Sequence, residues 1–104
     1  MRLDRILQEK QLYARPNLSL KELSAELHLP SRYISHLINR YHQKNFKEFI
    51  NDYRIKAFIR KAQSPVDKHK TLLALAFEAG FNSKSTFNQV FKSQMGQSPT
   101  EFLS

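Results

Sequence analysis

Apolar residues recur along this chain at three- and four-residue intervals, the period of a helix laid against a core. Leu3, Ile6 and Leu7 mark a first helix that must close before Pro16, because proline lacks the backbone N–H and clashes with a preceding turn. Ser19 with Glu22 three residues on is a capping-box pair, and Leu20, Leu23 and Leu27 form the stripe of a short second helix behind it. Beyond "HLP", Ile34, Leu37, Ile38 and Tyr41 predict the buried face of a third helix. A fourth helix over residues 45–63 carries Phe46, Phe49, Ile50 and Tyr53 on one side. Ile55, Phe58, Ile59 and Ala62 fall about 180° away, so this one helix is expected to serve two cores.

"SPVDKHK" breaks the pattern, and a fifth helix resumes near Thr71 with Leu72, Leu75 and Ala76 before Gly80 ends it. Phe87, Val90, Phe91 and Met95 give a sixth its inward face, with Gly96 placed to cap its C-terminus. A last short helix opens at "SPTE": Ser98 suits the N-cap, Pro99 the first helical position, and Glu101 completes a second capping box.

Residues 20–41 and 72–94 follow one plan: a short apolar helix, a tight turn, then a helix with one apolar and one polar face. Ile34, Leu37 and Ile38 correspond to Phe87, Val90 and Phe91 at an offset of 53, whereas upstream of the turn Ser24 matches Ala76 at an offset of 52. At the offset of 53, Arg32, Ser35, His36 and Asn39 align with Ser85, Asn88, Gln89 and Lys92, each quartet forming a continuous exposed stripe without an acid. The expected fold is all-α with about seven helices, two helix-turn-helix subdomains joined by a shared long central helix.

Composition narrows the partner. Seventeen Lys and Arg against nine Asp and Glu leave a formal charge of +8 on 104 residues, which favours an anionic surface, nucleic acid or membrane. Without cysteine, the domain is held by packing alone and has no thiolate metal site. The four histidines, His28, His36, His42 and His69, show no ligand spacing, so no metal or cofactor is expected. No apolar run approaches the length of a membrane span and the charged N-terminus carries no export signal, so a soluble chain is expected.

The two stripes suit duplex DNA. An α-helix fits the major groove, where Arg bonds guanine in a bidentate way and Asn or Gln does the same for adenine. Arg32 and His36 are candidate donors to purine edges, Asn39, Asn88 and Gln89 candidate adenine partners, and Ser35 and Ser85 allow close approach. Helix N-termini at Ser31 and Ser83 offer backbone N–H groups to phosphate. Candidate phosphate cations are Lys84, Lys92 and Arg40, with Lys44, Lys47, Arg54, Lys56, Arg60 and Lys61 on or beside the long helix.

"LALAFEAGFNSKSTFNQVFKSQMGQSPTEF", residues 73–102, resembles the second helix-turn-helix signature of the AraC/XylS family of bacterial transcription regulators. Ala76, Gly80, Phe81, Ser83, Ser85 and Phe87 fit its first half, and Phe91, Lys92, Gly96, Ser98, Pro99 and Phe102 its second. "LKELSAELHLPSRYISHLINRY" is similar to the first, more variable unit, and "FKEFINDYRIKAF" to the connecting helix. The resemblance implies subdomains at 1–44 and 64–104 joined by a linker helix at 45–63. It implies base reading by Arg32, Ser35 and His36 in the first unit and Lys84, Ser85, Asn88 and Gln89 in the second. His28 stands where the first turn usually has glycine, and Pro30 where a capping serine is frequent, which moves the expected cap to Ser31. Leu103 replaces a frequent basic residue.

The family further implies control of transcription from double-stranded promoter DNA, with contact to RNA polymerase and no small-molecule ligand in this domain. Such modules are usually joined to an N-terminal sensing or dimerising region. "LINRYHQKNFKEFINDYRI" looks like modules carried by multi-helix membrane sensors, which makes the chain the cytoplasmic output end of a larger receptor. Two other classes compete. The basic stretch 44–61 could meet an anionic membrane or an acidic protein, although its apolar groups are committed to cores. An enzyme is disfavoured by the lack of a phosphate loop, a cysteine nucleophile or a triad.

Overall fold

The structure, a computed structural model, describes residues 2–104. Among these, seven α-helices and two 3-10 turns follow one another without a strand. They are α1 (Arg2–Glu9), a 3-10 turn at Leu12–Ala14, α2 (Leu20–Leu27), α3 (Ser31–His42), α4 (Phe46–Ala62), a 3-10 turn at Pro65–Asp67, α5 (Leu72–Glu78), α6 (Lys84–Met95) and α7 (Pro99–Leu103).

Side-chain caps set most helix starts by satisfying N–H groups that have no partner within the helix. Ser19 Oγ accepts from the Glu22 N–H at 3.1 Å, Thr71 Oγ1 from Ala74 at 3.0 Å and Ser83 Oγ from Thr86 at 3.1 Å. Reciprocal capping boxes join Asn45 to Glu48 and Ser98 to Glu101. The box expected at Ser19 is only half formed: the Glu22 carboxylate accepts from the Ser19 hydroxyl at 3.5 Å and not from its backbone N–H, and lies 3.9 Å from Arg15. The expected cap at Ser31 is also corrected. Pro30 occupies the cap position with φ −60°, and Ser31 is already helical, so α3 starts without a side-chain cap. Proline supplies the extended backbone but has no acceptor on its side chain.

α2, α3 and α6 stop at residues in the left-handed conformation, His28 (φ 56°), Gln43 (φ 51°) and Gly96 (φ 77°). α5 runs into Gly80 at φ 114°, a conformation that L side chains rarely adopt.

Packing runs through α4. At one end Phe49 meets the His42 ring at 4.7 Å and Tyr53 at 5.2 Å; at the other Phe58 meets Phe87 at 4.7 Å and Phe91 at 5.7 Å. Phe49, Phe58, Phe87 and Phe91 belong to one buried cluster, with Tyr53 packed against it, and not to two cores. Leu12 and Tyr13 of the first 3-10 turn, 1% and 6% exposed, belong to the same cluster and pack on α4. Tyr41 departs from expectation: its spacing puts it with the buried positions of α3, yet it is 60% exposed, while its neighbour His42 packs on Phe49 of α4.

One joint ties the two halves together. Arg54 of α4 donates from Nε to Tyr13 O at 2.8 Å and from Nη2 to Arg15 O at 2.9 Å, and burial lowers its pKa from the ordinary arginine value. Gly80 closes the joint from the other side, since a Cβ there would sit 2.4 Å from Tyr13 O and 2.7 Å from Arg54 Nε. Asn82 Nδ2 donates to Asn17 Oδ1 at 3.3 Å beside it. The turn before α6 is thereby keyed to the segment that leads into α2.

Candidate nucleic-acid interface

α3 and α6 each turn one face to the core and one to solvent. Ile34 and Ile38 are fully buried on α3, and Phe87 and Phe91 on α6. Arg32, Ser35, His36 and Asn39 are exposed on α3, and Lys84, Ser85, Asn88, Gln89 and Lys92 on α6. Every residue assigned to base reading from sequence is therefore solvent-facing. Ser31 and Ser83, at the two helix starts, are half-buried, and Arg40 is exposed with its guanidinium 5.9 Å from the Tyr41 ring centre.

The internal repeat extends further than the stretches read from sequence. Ser19 and Thr71 cap the two scaffold helices at an offset of 52, and His28 and Gly80 share positive φ at that same offset. Gln43 and Gly96 end the two outward-facing helices at an offset of 53, followed by the matching boxes Asn45/Glu48 and Ser98/Glu101. α7 thus repeats the first turn of α4. Backbone conformation carries this part of the repeat, because Gln43 and Gly96 differ as residues and agree only in φ.

A family model described as a helix-turn-helix domain matches residues 23–104, most of the chain. The chain belongs to the AraC-type helix-turn-helix family. DNA binding in transcription regulation is the activity of that family, and it is not an enzymatic one. No curated protein matches the chain. Among solved structures, the C-terminal domain of the two-component response regulator yesN from Fusobacterium nucleatum is 20% identical with a TM-score of 0.76, over 98% of this chain and 94% of that one. The C-terminal domain of AraT, a response regulator from Geobacillus stearothermophilus, is also 20% identical with a TM-score of 0.76, over 97% and 82%. A protein of unknown function from Listeria innocua is 21% identical with a TM-score of 0.74, over 97% and 93%. At such identities the likeness is one of fold.

The cations of this AraC-type domain fall into two groups. Lys44 and Lys56 each lie 3.3 Å from Asp52, and Lys61 lies 3.4 Å from Glu78. Lys70 bridges Asp67 at 2.9 Å and Glu78 at 3.0 Å, and its hydrogen bonds hold both carboxyls below the usual range while its own pKa is raised. Arg54, a candidate phosphate contact from sequence, is corrected to a structural role because its guanidinium is bound to two backbone carbonyls. The Asp52–Lys56 pair has the i, i+4 spacing of helix neighbours, whereas the pairing of Lys61 with Glu78, 17 residues on, depends on the fold. Arg32, Arg40, Lys47, Arg60, Lys84 and Lys92 make no ion pair among the described residues and remain outward-facing. Among the described residues no helix is long and apolar enough to cross a membrane.

Proposed function

We propose that this domain binds duplex DNA sequence-specifically, with α3 and α6 entering successive major grooves on one side of the helix. The carrying observation is that two internally related helices expose acid-free polar stripes at the same register, each held from behind by buried aromatic or aliphatic side chains. The subdomains 1–44 and 64–104 each present one reading helix, and the linker 45–63 holds them together. The molecule measures 41 Å along its longest axis. That accommodates two helices separated by roughly 34 Å, one turn of B-DNA.

Arg32 and His36 donate to purine edges from α3, with Asn39 one turn further on. On α6, Asn88 and Gln89 pair with adenine, while Ser85 lets the helix approach closely and Lys84 reaches the base or the adjoining phosphate. Lys92 and Arg40 meet the flanking phosphates. The first turns at Ser31 and Ser83 turn free N–H groups to the backbone, an anion-binding geometry that the helix dipole reinforces. Lys61 has a smaller share, since Glu78 already accompanies it.

In this reading the domain is the cytoplasmic output end of a larger regulator, joined to an N-terminal sensing or dimerising region that is membrane-anchored, and it contacts RNA polymerase. The competing membrane-surface reading needs the basic stretch 44–61 to be available, and the pairing of Lys44, Lys56 and Lys61 with acids weakens it.

The test compares a selected duplex with a random one by gel shift. Asn88→Ala with Gln89→Ala should lower the ratio of specific to random affinity by about tenfold or more, since each lost bidentate pair is worth about 1–3 kcal/mol. An unchanged ratio would remove α6 from base reading. Stronger retention on anionic liposomes than on DNA would favour the membrane reading.

A further inference from the structure

The inward face of α3 continues past the core into an open apolar groove of about 580 Å³, lined by Leu3, Leu29, Tyr33, Leu37, Tyr41 and His42, with Asp4 at its edge. Tyr33 and Tyr41 are 48% and 60% exposed there. His42 Nε2 is buried without a hydrogen-bond partner, and Asp4 Oδ2 lies 3.7 Å from it. Asp4 is already engaged by the Tyr53 hydroxyl, which donates to it.

The internal repeat indicates what fits this groove. At the offset of 53, Tyr33, Leu37, Tyr41 and His42 correspond to Thr86, Val90, Gln94 and Met95 of α6. All four of those face the first half of α4. Thr86 shares a cleft with Phe46, Lys47, Ile50 and Asn51, while Val90, Gln94 and Met95 share another with Lys44, Glu48, Asn51 and Asp52. α1 in turn corresponds to the second half of α4 at the offset of 52: Arg2 falls on Arg54, Leu3 on Ile55, Ile6 on Phe58 and Leu7 on Ile59. In this register the half of α4 that faces α6 falls ahead of Arg2. At the matching place on α3, Tyr33 and Tyr41 stay 48% and 60% exposed, and only His42 beside them is covered by Phe49 of α4 among the described residues.

We propose that the groove seats an amphipathic helical segment that runs into α1 from its N-terminal side, two turns long, apolar toward Leu37 and Tyr41. A side chain able to hydrogen-bond to His42 Nε2 completes the fit. The groove is therefore an interaction surface for a helix, and one of its walls is α3, whose opposite face carries Arg32, Ser35, His36 and Asn39. A helix seated there would stiffen the first reading helix without touching DNA. Docking is a property of the groove and is measurable with no DNA present.

The experiment places residues 46–53, "FKEFINDY", directly ahead of Arg2, the register that the repeat defines. Thermal unfolding by circular dichroism should give a Tm about 5–10 °C above that of the same chain carrying a Gly/Ser extension of equal length. Tyr33→Ser with Tyr41→Ser should abolish the gain while leaving the unextended chain folded, because both rings are largely exposed. Equal Tm values for the two extensions would overturn the proposal. So would a gain that survives in the Tyr33→Ser, Tyr41→Ser background, since the added residues would then act by lengthening α1 alone. Concentration-dependent dimerisation of the unextended chain, lost in the double variant, would assign the groove to a second copy and reject the helical segment.

Discussion

Arg54→Ala probes the joint that sets the two reading helices relative to each other. The substitution removes two hydrogen bonds from a charged donor, at 2.8 Å to Tyr13 O and 2.9 Å to Arg15 O. Bonds to charged groups contribute about 1.5–3 kcal/mol each, and the Arg15 contact, being exposed, belongs at or below the lower end, so the loss should be about 3 kcal/mol. For a domain of this size that corresponds to a fall in Tm of about 12–18 °C. Arg54→Lys should recover less than half, because an ammonium cannot hold both carbonyls in the fork geometry. Gly80→Ala attacks the same joint: its Cβ would lie 2.4 Å from Tyr13 O and 2.7 Å from Arg54 Nε. Part of that clash disappears when Arg54 is absent, so the double variant should be less destabilised than the two singles together by about 1 kcal/mol. Urea denaturation followed by far-ultraviolet circular dichroism measures all four corners of the cycle. Because Arg54 makes no phosphate contact in this account, its loss should weaken binding to a two-box duplex without altering the salt dependence. A destabilisation of Arg54→Ala below about 0.5 kcal/mol, or strict additivity with Gly80→Ala, would refute the reasoning.

Salt titration separates the two classes of lysine: Lys92→Ala should flatten the plot of log K against log salt by about one unit, and Lys61→Ala by distinctly less. Equal changes would mean that Glu78 does not restrain Lys61. Asp67 and Glu78 are held below the usual carboxylate range by Lys70, so the stability they confer is present above about pH 4.5 and fades as pH falls through their lowered values. Lys70→Met should therefore lower Tm at about pH 7 and leave it nearly unchanged at about pH 2; a loss of equal size at both would point to packing instead. Ser98→Ala removes the acceptor for the Glu101 N–H at 3.2 Å and should cost about 1 kcal/mol in the same unfolding assay.

The helices were legible because their signals are local. Ser83, Ser98 and Gly96 announce ends, and the spacing of Phe87 and Phe91 announces a face; the structure has all of these where the pattern predicts them. The outward stripes were legible for the same reason, since an exposed face is what remains once the buried one is known. What stayed hidden is non-local. Leu12 and Tyr13 sit in a 3-10 turn whose burial depends on α4, more than thirty residues away. Arg54 looks like any cation on a basic helix until Tyr13 O and Arg15 O are brought to it. The left-handed φ at Gln11 and Gln43 has no sequence mark, because glutamine has no special ease in that region. Tyr41 is exposed despite its spacing, since periodicity identifies the inward face but not whether anything lies against it.

Selection of bound duplexes from a random library tests the central claim most directly. Two specified boxes, centred about 10 base pairs apart on one face, are the predicted outcome, with the box assigned to α6 changing in Asn88→Ala and the other in Arg32→Ala. A single box that is indifferent to Arg32→Ala, or no enrichment at all, would contradict reading by two helices.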